Sequence, residues 1–122
     1  MMIADSNLII YAASGKYPAL MDWFAKNKPA VSVVSLVEAL GYHKLKDEEK
    51  AALESFFAEL TAIYLSPEIV QLAIRLRQQR AISLGDAIIA ATALNVNATL
   101  ATHNTKDFEW IKSLVILDPM RE

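Results

Sequence analysis

Apolar residues along this chain are grouped in two kinds of segment that differ in length and in spacing. Short runs rich in Val, Ile, Leu and Ala, such as residues 30–34 and 98–102, predict buried strands. Longer segments repeat apolar residues at intervals of three and four, as Leu53, Phe56 and Leu60 do, and these segments predict helices. Strands and helices are therefore expected to alternate along the chain.

The predicted elements cover most of the chain. The strands cover residues 1–4, 30–34, 61–65, 98–102 and 114–117. The helices cover residues 8–13, 18–26, 35–45, 47–60, 67–80 and 84–94, with a helical turn over 107–111. Short strands that are apolar on both faces and alternate with helices indicate a parallel sheet covered on both sides. We predict an α/β fold, a three-layer α/β/α sandwich with a central, mainly parallel sheet of four to five strands.

Length and composition indicate one domain spanning residues 1–122. A chain of 122 residues is long enough to bury one core and too short for two ordinary domains. The hydrophobic fraction is 54%, but every apolar run falls short of the roughly 20 residues that cross a bilayer. The N-terminus meets Asp5 at once and has no basic region before it, which argues against a signal peptide. We expect a cytoplasmic protein.

The absence of cysteine restricts the chemistry of any metal site. Disulfides, thiolate zinc sites and a cysteine nucleophile are all excluded. The two histidines, His43 and His103, lie far apart in sequence, so carboxylate oxygens are the expected ligands and Mg²⁺ or Mn²⁺ the expected ions. The formal net charge of −2 lacks the basic excess usual in a nucleic-acid binder. A nucleic-acid partner would therefore need a local basic patch or a bound metal.

Four acidic residues stand where apolar runs begin or end: Asp5, Glu38, Asp86 and Asp107. Asp5, Glu38 and Asp107 follow predicted strands, and the carboxyl ends of parallel strands share one edge of a sheet. Asp86 begins a helix after another helix, so its place at that edge is a less direct inference. Carboxylates gathered within about 4 to 6 Å raise one another's pKa, which a divalent cation relieves. The pattern predicts an acidic cluster that holds such a cation.

Helix capping is the alternative interpretation of these acids. Three of them stand three positions after a residue that can cap a helix, as in a capping box. The pairs are Ser35 with Glu38, Ser83 with Asp86, and Asn104 with Asp107. An acid at a helix start gains about 0.3 to 1 kcal/mol from the helix dipole, and Asp5 can gain it too. Any single acid is therefore weak evidence, and the metal-site prediction depends on their joint position.

Four segments in this order resemble the PIN domain, and in particular the VapC-type toxins of toxin–antitoxin pairs. The segments are IADSNLIIY at residues 3–11, VVSLVEA at 33–39, LGDAIIAATAL at 84–94 and LATHNTKDF at 100–108. No segment is specific alone, but together they extend over nearly the whole chain.

The resemblance implies an Mg²⁺- or Mn²⁺-dependent endoribonuclease that hydrolyses RNA phosphodiester bonds. It implies Asp5, Glu38, Asp86 and Asp107 as catalytic residues, with Asp5 and Asp86 as the principal metal contacts. It also implies that Thr102 and Asn104 support the site. Relatives form homodimers and are silenced by a small antitoxin that inserts a peptide near the acids, so both partners are expected here.

Other functions fit the sequence less well. An aspartyl phosphotransferase commonly needs a second acid two residues after the first, and Asn7 stands there. A nucleotide binder would need a glycine-rich loop, whereas the three glycines lie apart at positions 15, 41 and 85. The remaining alternative is a non-catalytic PIN-like module that binds RNA or protein.

Three further features receive structural interpretations. The basic and glutamine-rich run at residues 75–80 is interpreted as a solvated helix side rather than an RNA-contacting face. His103 is assigned a packing or hydrogen-bonding role rather than a catalytic one. Four aromatic residues at helical spacing are interpreted as core or partner contacts rather than base-stacking platforms: Trp23, Phe24, Phe56 and Phe57.

Overall fold

Five short strands and six α-helices make up the part of the chain that the structure, a computed structural model, describes, residues 1–121. The strands are β1 (Met2–Ala4), β2 (Ala30–Ser32), β3 (Ala62–Ile63), β4 (Thr99–Ala101) and β5 (Ile116–Leu117). The helices are α1 (Ser6–Ala13), α2 (Pro18–Asn27), α3 (Val33–Leu40), α4 (Asp47–Ala58), α5 (Pro67–Gln79) and α6 (Leu84–Asn95). A 3-10 turn covers Thr105–Asp107.

All five strands are parallel and lie in the order β3-β2-β1-β4-β5. In the central strand β1, Ile3 pairs with Ala30 of β2 on one side and with Leu100 of β4 on the other. The chain thus builds outward from β1 in one direction and then returns to the opposite side for β4. This reversal creates a switch point between β1 and β4, the place where open parallel sheets bind ligands.

Alternate residues of the central strands point to opposite faces of the sheet and enter two separate cores. Ile3 and Leu100 pack in one core with residues of α5 and α6. Their neighbours Ala4 and Ala101 pack in the other core with residues of α1, α2 and α4. The α/β/α sandwich with a parallel sheet, predicted from strands apolar on both faces, is therefore confirmed.

The boundary between β2 and α3 differs from its prediction. Residues 30–34 were expected to be a strand because of their β-branched side chains, but Val33 and Val34 begin α3. The hydroxyl of Ser32 accepts a hydrogen bond from the main-chain N–H of Val34 at 3.2 Å and so caps the helix. The cap outweighs the modest strand preference of two valines. The helix also ends at Leu40 rather than at residue 45, and it places Ser35 inside the helix.

Helix α5 matches its prediction closely. The Ser66 hydroxyl accepts from the N–H of Ile69 at 3.2 Å, and Ile69, Ala73 and Leu76 are buried. The basic side chains after residue 74 are exposed, but two of them make intramolecular contacts. Arg77 donates to the Ile82 carbonyl at 3.2 Å, and the Arg80 guanidinium lies 5.2 Å from the ring centre of Trp110.

The apolar side chains of α2 and α4 pack against each other, as their helical spacing predicts. Phe24 and Phe57 are buried at 3% and 7% exposure, and the Phe24 and Phe56 rings lie 5.0 Å apart. None of the helices within residues 1–121 is both long and apolar enough to cross a membrane.

Candidate acidic site at the carboxyl edge of the sheet

Asp5 lies at the switch point, directly after β1, and is only 4% exposed. Its main-chain N–H donates to the carbonyl of Ala101 in β4 at 2.9 Å. Its Oδ2 accepts a hydrogen bond from the Oγ1 of Thr102 at 2.7 Å. Thr102 is fully buried and also accepts from the N–H of Asn104 at 3.0 Å. Thr102 and Asn104 thus lie beside Asp5, with the Thr102 hydroxyl bonded to its carboxylate.

Burial is the main reason that the pKa of Asp5 is raised. The negative charge of Glu38 raises this pKa further, so the two carboxylates are close enough to interact. The hydrogen bond from Thr102 and the N–H groups of Ser6 and Asn7 oppose the rise without cancelling it. The hydrogen bonds therefore offset only part of the cost of ionising the Asp5 carboxyl group in the folded protein.

Glu38, on α3, is held by two serine hydroxyls. The Oγ of Ser6 lies 2.8 Å from Glu38 Oε1 and 2.7 Å from the Oγ of Ser35. Because an ionised carboxylate only accepts hydrogen bonds, Ser6 donates to Glu38, and Ser35 donates to Ser6. Both serines are buried, whereas Glu38 is exposed. This serine relay fixes one oxygen of Glu38 beside the start of α1.

Gly85 on α6 gives the other oxygen of Glu38 the space that it occupies. A Cβ built on Gly85 would overlap Glu38 Oε2, so the glycine leaves room for this carboxylate against α6. Asp86, the next residue, lies near enough to Glu38 for the two charges to interact. Gly85 thus lets the Glu38 side chain lie against the helix that carries Asp86.

Asp86 is half-buried and lies among the other three acids. Burial raises its pKa most, followed by the charge of Asp5 and then by those of Asp107 and Glu38, to about 6. The Ser83 hydroxyl partly opposes the rise. The sequence offers the least direct support for Asp86, yet this carboxylate interacts with all three of its predicted partners.

Asp107 ends the 3-10 turn, and its side chain is exposed. Its N–H donates to the main-chain carbonyl of Asn104 at 3.1 Å, so the turn is closed by main-chain groups rather than by a side-chain cap. Its charge raises the pKa of Asp86, which places it within interaction range of the cluster.

The capping interpretation holds at one of the three predicted pairs. The Ser83 hydroxyl accepts from the N–H of Asp86 at 3.1 Å, as a cap should. Ser35 is interior to α3, where its hydroxyl contacts Ser6 instead, and Asn104 contributes only its carbonyl. The residues missed by the sequence interpretation are Ser6, Ser35 as a donor, and Gly85. The signal for Ser35 was its spacing of three from Glu38, which places both side chains on one helix face.

The donor set consists of carboxylate oxygens, the ligand type preferred by Mg²⁺ and Mn²⁺. Within residues 1–121, no three carboxylate or imidazole side chains are close enough, as they stand, to hold a metal ion. Asp107 is exposed and has rotational freedom, whereas Asp5 is buried beside Thr102 and Glu38 is held by Ser6. An ion would therefore meet two oriented acids and a more mobile one.

His103, next to the site, makes the hydrogen bond expected of it. Its Nδ1 lies 3.0 Å from Asp118 Oδ2, and its ring is edge-on to that of Tyr11 at 6.5 Å between centres. This hydrogen bond is the kind of contact that was predicted for His103 in place of a catalytic role.

Comparisons with known proteins agree with this geometry. The family model of the PIN domain matches residues 2–112. The Ribonuclease VapC2 of Rickettsia felis is 30% identical over 124 residues, covering 92% of each chain. Among solved structures, a toxin–antitoxin complex from Klebsiella pneumoniae aligns over all of both chains at 27% identity with a TM-score of 0.82.

A second solved structure is the VapBC2 complex of Rickettsia felis bound to a DNA fragment from its promoter. It aligns at 27% identity with a TM-score of 0.80 and covers 95% of this chain and 96% of that one. The family model extends over far more than half of the sequence, and the parallel sheet matches the fold of these structures. The chain belongs to the PIN domain family.

Proposed function

We propose that this protein is an Mg²⁺- or Mn²⁺-dependent endoribonuclease and the toxin of a toxin–antitoxin pair. The observation that carries the proposal is the position of Asp86, whose pKa of about 6 reflects burial and the charges of Asp5, Asp107 and Glu38. Such crowding destabilises the metal-free fold and favours a bound divalent cation. The similarity to ribonucleases named VapC supports RNA as the substrate.

Asp5 and Asp86 are the principal metal ligands in this proposal, and Glu38 and Asp107 complete the site. A bound Mg²⁺ or Mn²⁺ would lower the pKa of a coordinated water and stabilise charge on a phosphoryl oxygen. Thr102 holds the Asp5 carboxylate in one orientation, and the serine relay does the same for Glu38. Asn104 supports the loop because its main-chain N–H donates a hydrogen bond to the Thr102 hydroxyl. Exposed Glu38 and Asp107 face the solvent side, from which RNA would approach.

A small antitoxin and a second copy of the chain are the proposed protein partners. The Klebsiella pneumoniae structure is a toxin–antitoxin complex, and its likeness over the whole chain supports an antitoxin for this protein. Two apolar side chains next to the acids are strongly exposed, Val37 at 68% and Leu84 at 62%. Exposed apolar residues beside a functional site are consistent with a surface that a protein partner covers.

Cleavage of RNA under metal control tests this function. Purified protein with Mn²⁺ or Mg²⁺ should cut single-stranded RNA or tRNA, EDTA should stop the cleavage, and Asp5→Asn or Asp86→Asn should abolish it. The matched control is Asp22→Asn, which removes an exposed acid from α2 and should leave cleavage intact. Cleavage that persists in both EDTA and the Asp5→Asn variant would indicate a contaminating nuclease.

The alternative is a PIN-like module that binds RNA or protein without cutting. The observation in its favour is that no three acids of residues 1–121 converge on an ion position as they stand. The same cleavage experiment separates the two functions, because a binding module would leave the RNA uncut in the presence of Mn²⁺.

A further inference from the structure

Three ring side chains contact one another in series, and one of them, His103, follows Thr102 of the acidic site in sequence. The rings of Tyr17 and Tyr11 are 5.6 Å apart between centres and inclined at 53°, and the rings of Tyr11 and His103 are 6.5 Å apart at 75°. Tyr17 is 40% exposed, and the side chain of His103 is 46% exposed. We call these three residues the aromatic shelf.

The buried carboxylate of Asp118 fixes the orientation of the His103 ring. His103 Nδ1 lies 3.0 Å from Asp118 Oδ2, and the Asp118 side chain is only 5% exposed. The other oxygen of Asp118 accepts from the N–H of Met120 at 2.9 Å, so Asp118 is itself held in place. Because its ring is already oriented, His103 loses little conformational freedom when a ligand contacts it.

His103 joins the shelf to the acidic site through its neighbours in sequence. His103 follows Thr102, whose hydroxyl bonds to Asp5, and precedes Asn104, whose N–H bonds to Thr102. Consecutive Cα atoms are about 3.8 Å apart, so the His103 backbone adjoins the residue that orients Asp5. Tyr11 belongs to α1, the helix that starts directly after Asp5.

We propose that the aromatic shelf stacks an unpaired base of the RNA, next to the phosphate that lies at the acids. This inference rests on the proposed ribonuclease function and specifies how its substrate is held. Single-stranded RNA is commonly bound by stacking of splayed bases on Tyr and His rings, with little dependence on sequence. A chain with a net charge of −2 has no basic excess to attract the RNA backbone. Stacking on the shelf supplies affinity that does not depend on positive charge.

Binding of RNA by a protein that leaves it intact tests the shelf. In the Asp86→Asn background, the affinity for an end-labelled single-stranded RNA of random sequence would be measured by fluorescence anisotropy. His103→Ala and Tyr17→Ala should each weaken binding about 5- to 150-fold, the range for loss of one stacked base. His103→Phe, which keeps a ring without the bond to Asp118, should retain most of the affinity.

Two comparisons make the result specific. Tyr64→Ala removes a 69% exposed tyrosine that follows β3, at the far end of the sheet order, and should leave binding unchanged. The shelf variants and their parent should bind a fully paired RNA duplex of the same length equally well. Melting curves would show that each variant is folded, and Tyr17→Ala keeps the test valid if His103→Ala is unfolded.

Other outcomes overturn the inference in recognisable ways. Unchanged single-strand affinity in both alanine variants would reject the shelf while leaving the ribonuclease function intact. Equal losses on single-stranded and duplex RNA would mean that the residues act without stacking a base. A parent that binds no RNA at all would reject the shelf, whereas cleavage by the wild-type protein tests the ribonuclease function separately.

Discussion

Asp86 has a pKa of about 6 because it is half-buried and three other carboxylates interact with it. Its sequence context, at the start of a helix after another helix, is also the context of an ordinary helix-start acid. The contact that distinguishes it, between Gly85 and Glu38, joins positions far apart in sequence, so no local pattern reports it. Asp5 was easier to place, because a buried strand leads directly to it.

The metal-free protein should lose stability through Asp86 as the pH rises. The folded-state pKa is raised from 3.8 to about 6, so the contribution of this group to stability is complete below about pH 4. That contribution is lost as the pH rises through about 6, because the folded state must then hold an unfavourable charge. The Asp86→Asn variant has no carboxyl group at this position, so it does not lose stability in this way. In EDTA, the stability of the wild type relative to Asp86→Asn should fall between pH 4 and pH 7.

Urea denaturation at the two pH values measures this difference. Asp5 is present in both proteins and its charge acts on Asp86, so the difference reports the coupled titration of these two acids. Asp22→Asn serves as the control for removal of an exposed carboxylate from α2. A difference between wild type and Asp86→Asn that stays constant from pH 4 to pH 7 would contradict the crowding inferred at Asp86.

At the scale of elements, the order and type of the helices and strands were predictable from spacing and caps. Ser66 and Pro67 marked the start of α5 correctly because both act through local geometry. The start of α3 was wrong by two residues, since the Ser32 hydroxyl caps the helix before two valines whose side chains favour strands. That shift changes Ser35 from a predicted cap into a donor that holds Ser6.

The position of the Glu38 carboxylate against α6 should depend on Gly85. Alanine favours a helix over glycine by roughly 0.5–1 kcal/mol, so Gly85→Ala should retain the fold. The added Cβ would displace the Glu38 carboxylate from its place beside Ser6. Loss of a group that orients a ligand typically lowers metal affinity by about 10- to 100-fold. Titration calorimetry with Mn²⁺ should show weakening in this range.

Ser6→Ala provides a matched comparison for that experiment. It releases the same Glu38 carboxylate by removing the hydroxyl that bonds to its Oε1, without introducing a clash. Weakened Mn²⁺ binding in both variants would identify the orientation of Glu38 as the cause. Unchanged binding in Gly85→Ala would mean that the site tolerates displacement of the Glu38 carboxylate, and the role assigned to this glycine would be wrong.

At the scale of the whole molecule, the sheet order explains why acids far apart in sequence meet. The bond between Thr102 and Asp5 joins residues 97 positions apart, and it exists because β4 pairs with β1 across the switch point. The sequence predicted the parallel sheet and its shared edge, since both follow from strands apolar on two faces. It did not predict the strand order or the helix contacts, which are set by packing of the whole chain.

Stabilisation by Mn²⁺ is the most direct test of the central claim that the four acids form a metal site. An ion that binds only the folded state adds about 2.7 kcal/mol at a concentration of one hundred times Kd. The melting temperature of the wild type and of Asp22→Asn should therefore rise with Mn²⁺, and that of Asp5→Asn/Asp86→Asn should not. A rise that persists in the double variant would place the metal elsewhere and contradict the proposed site.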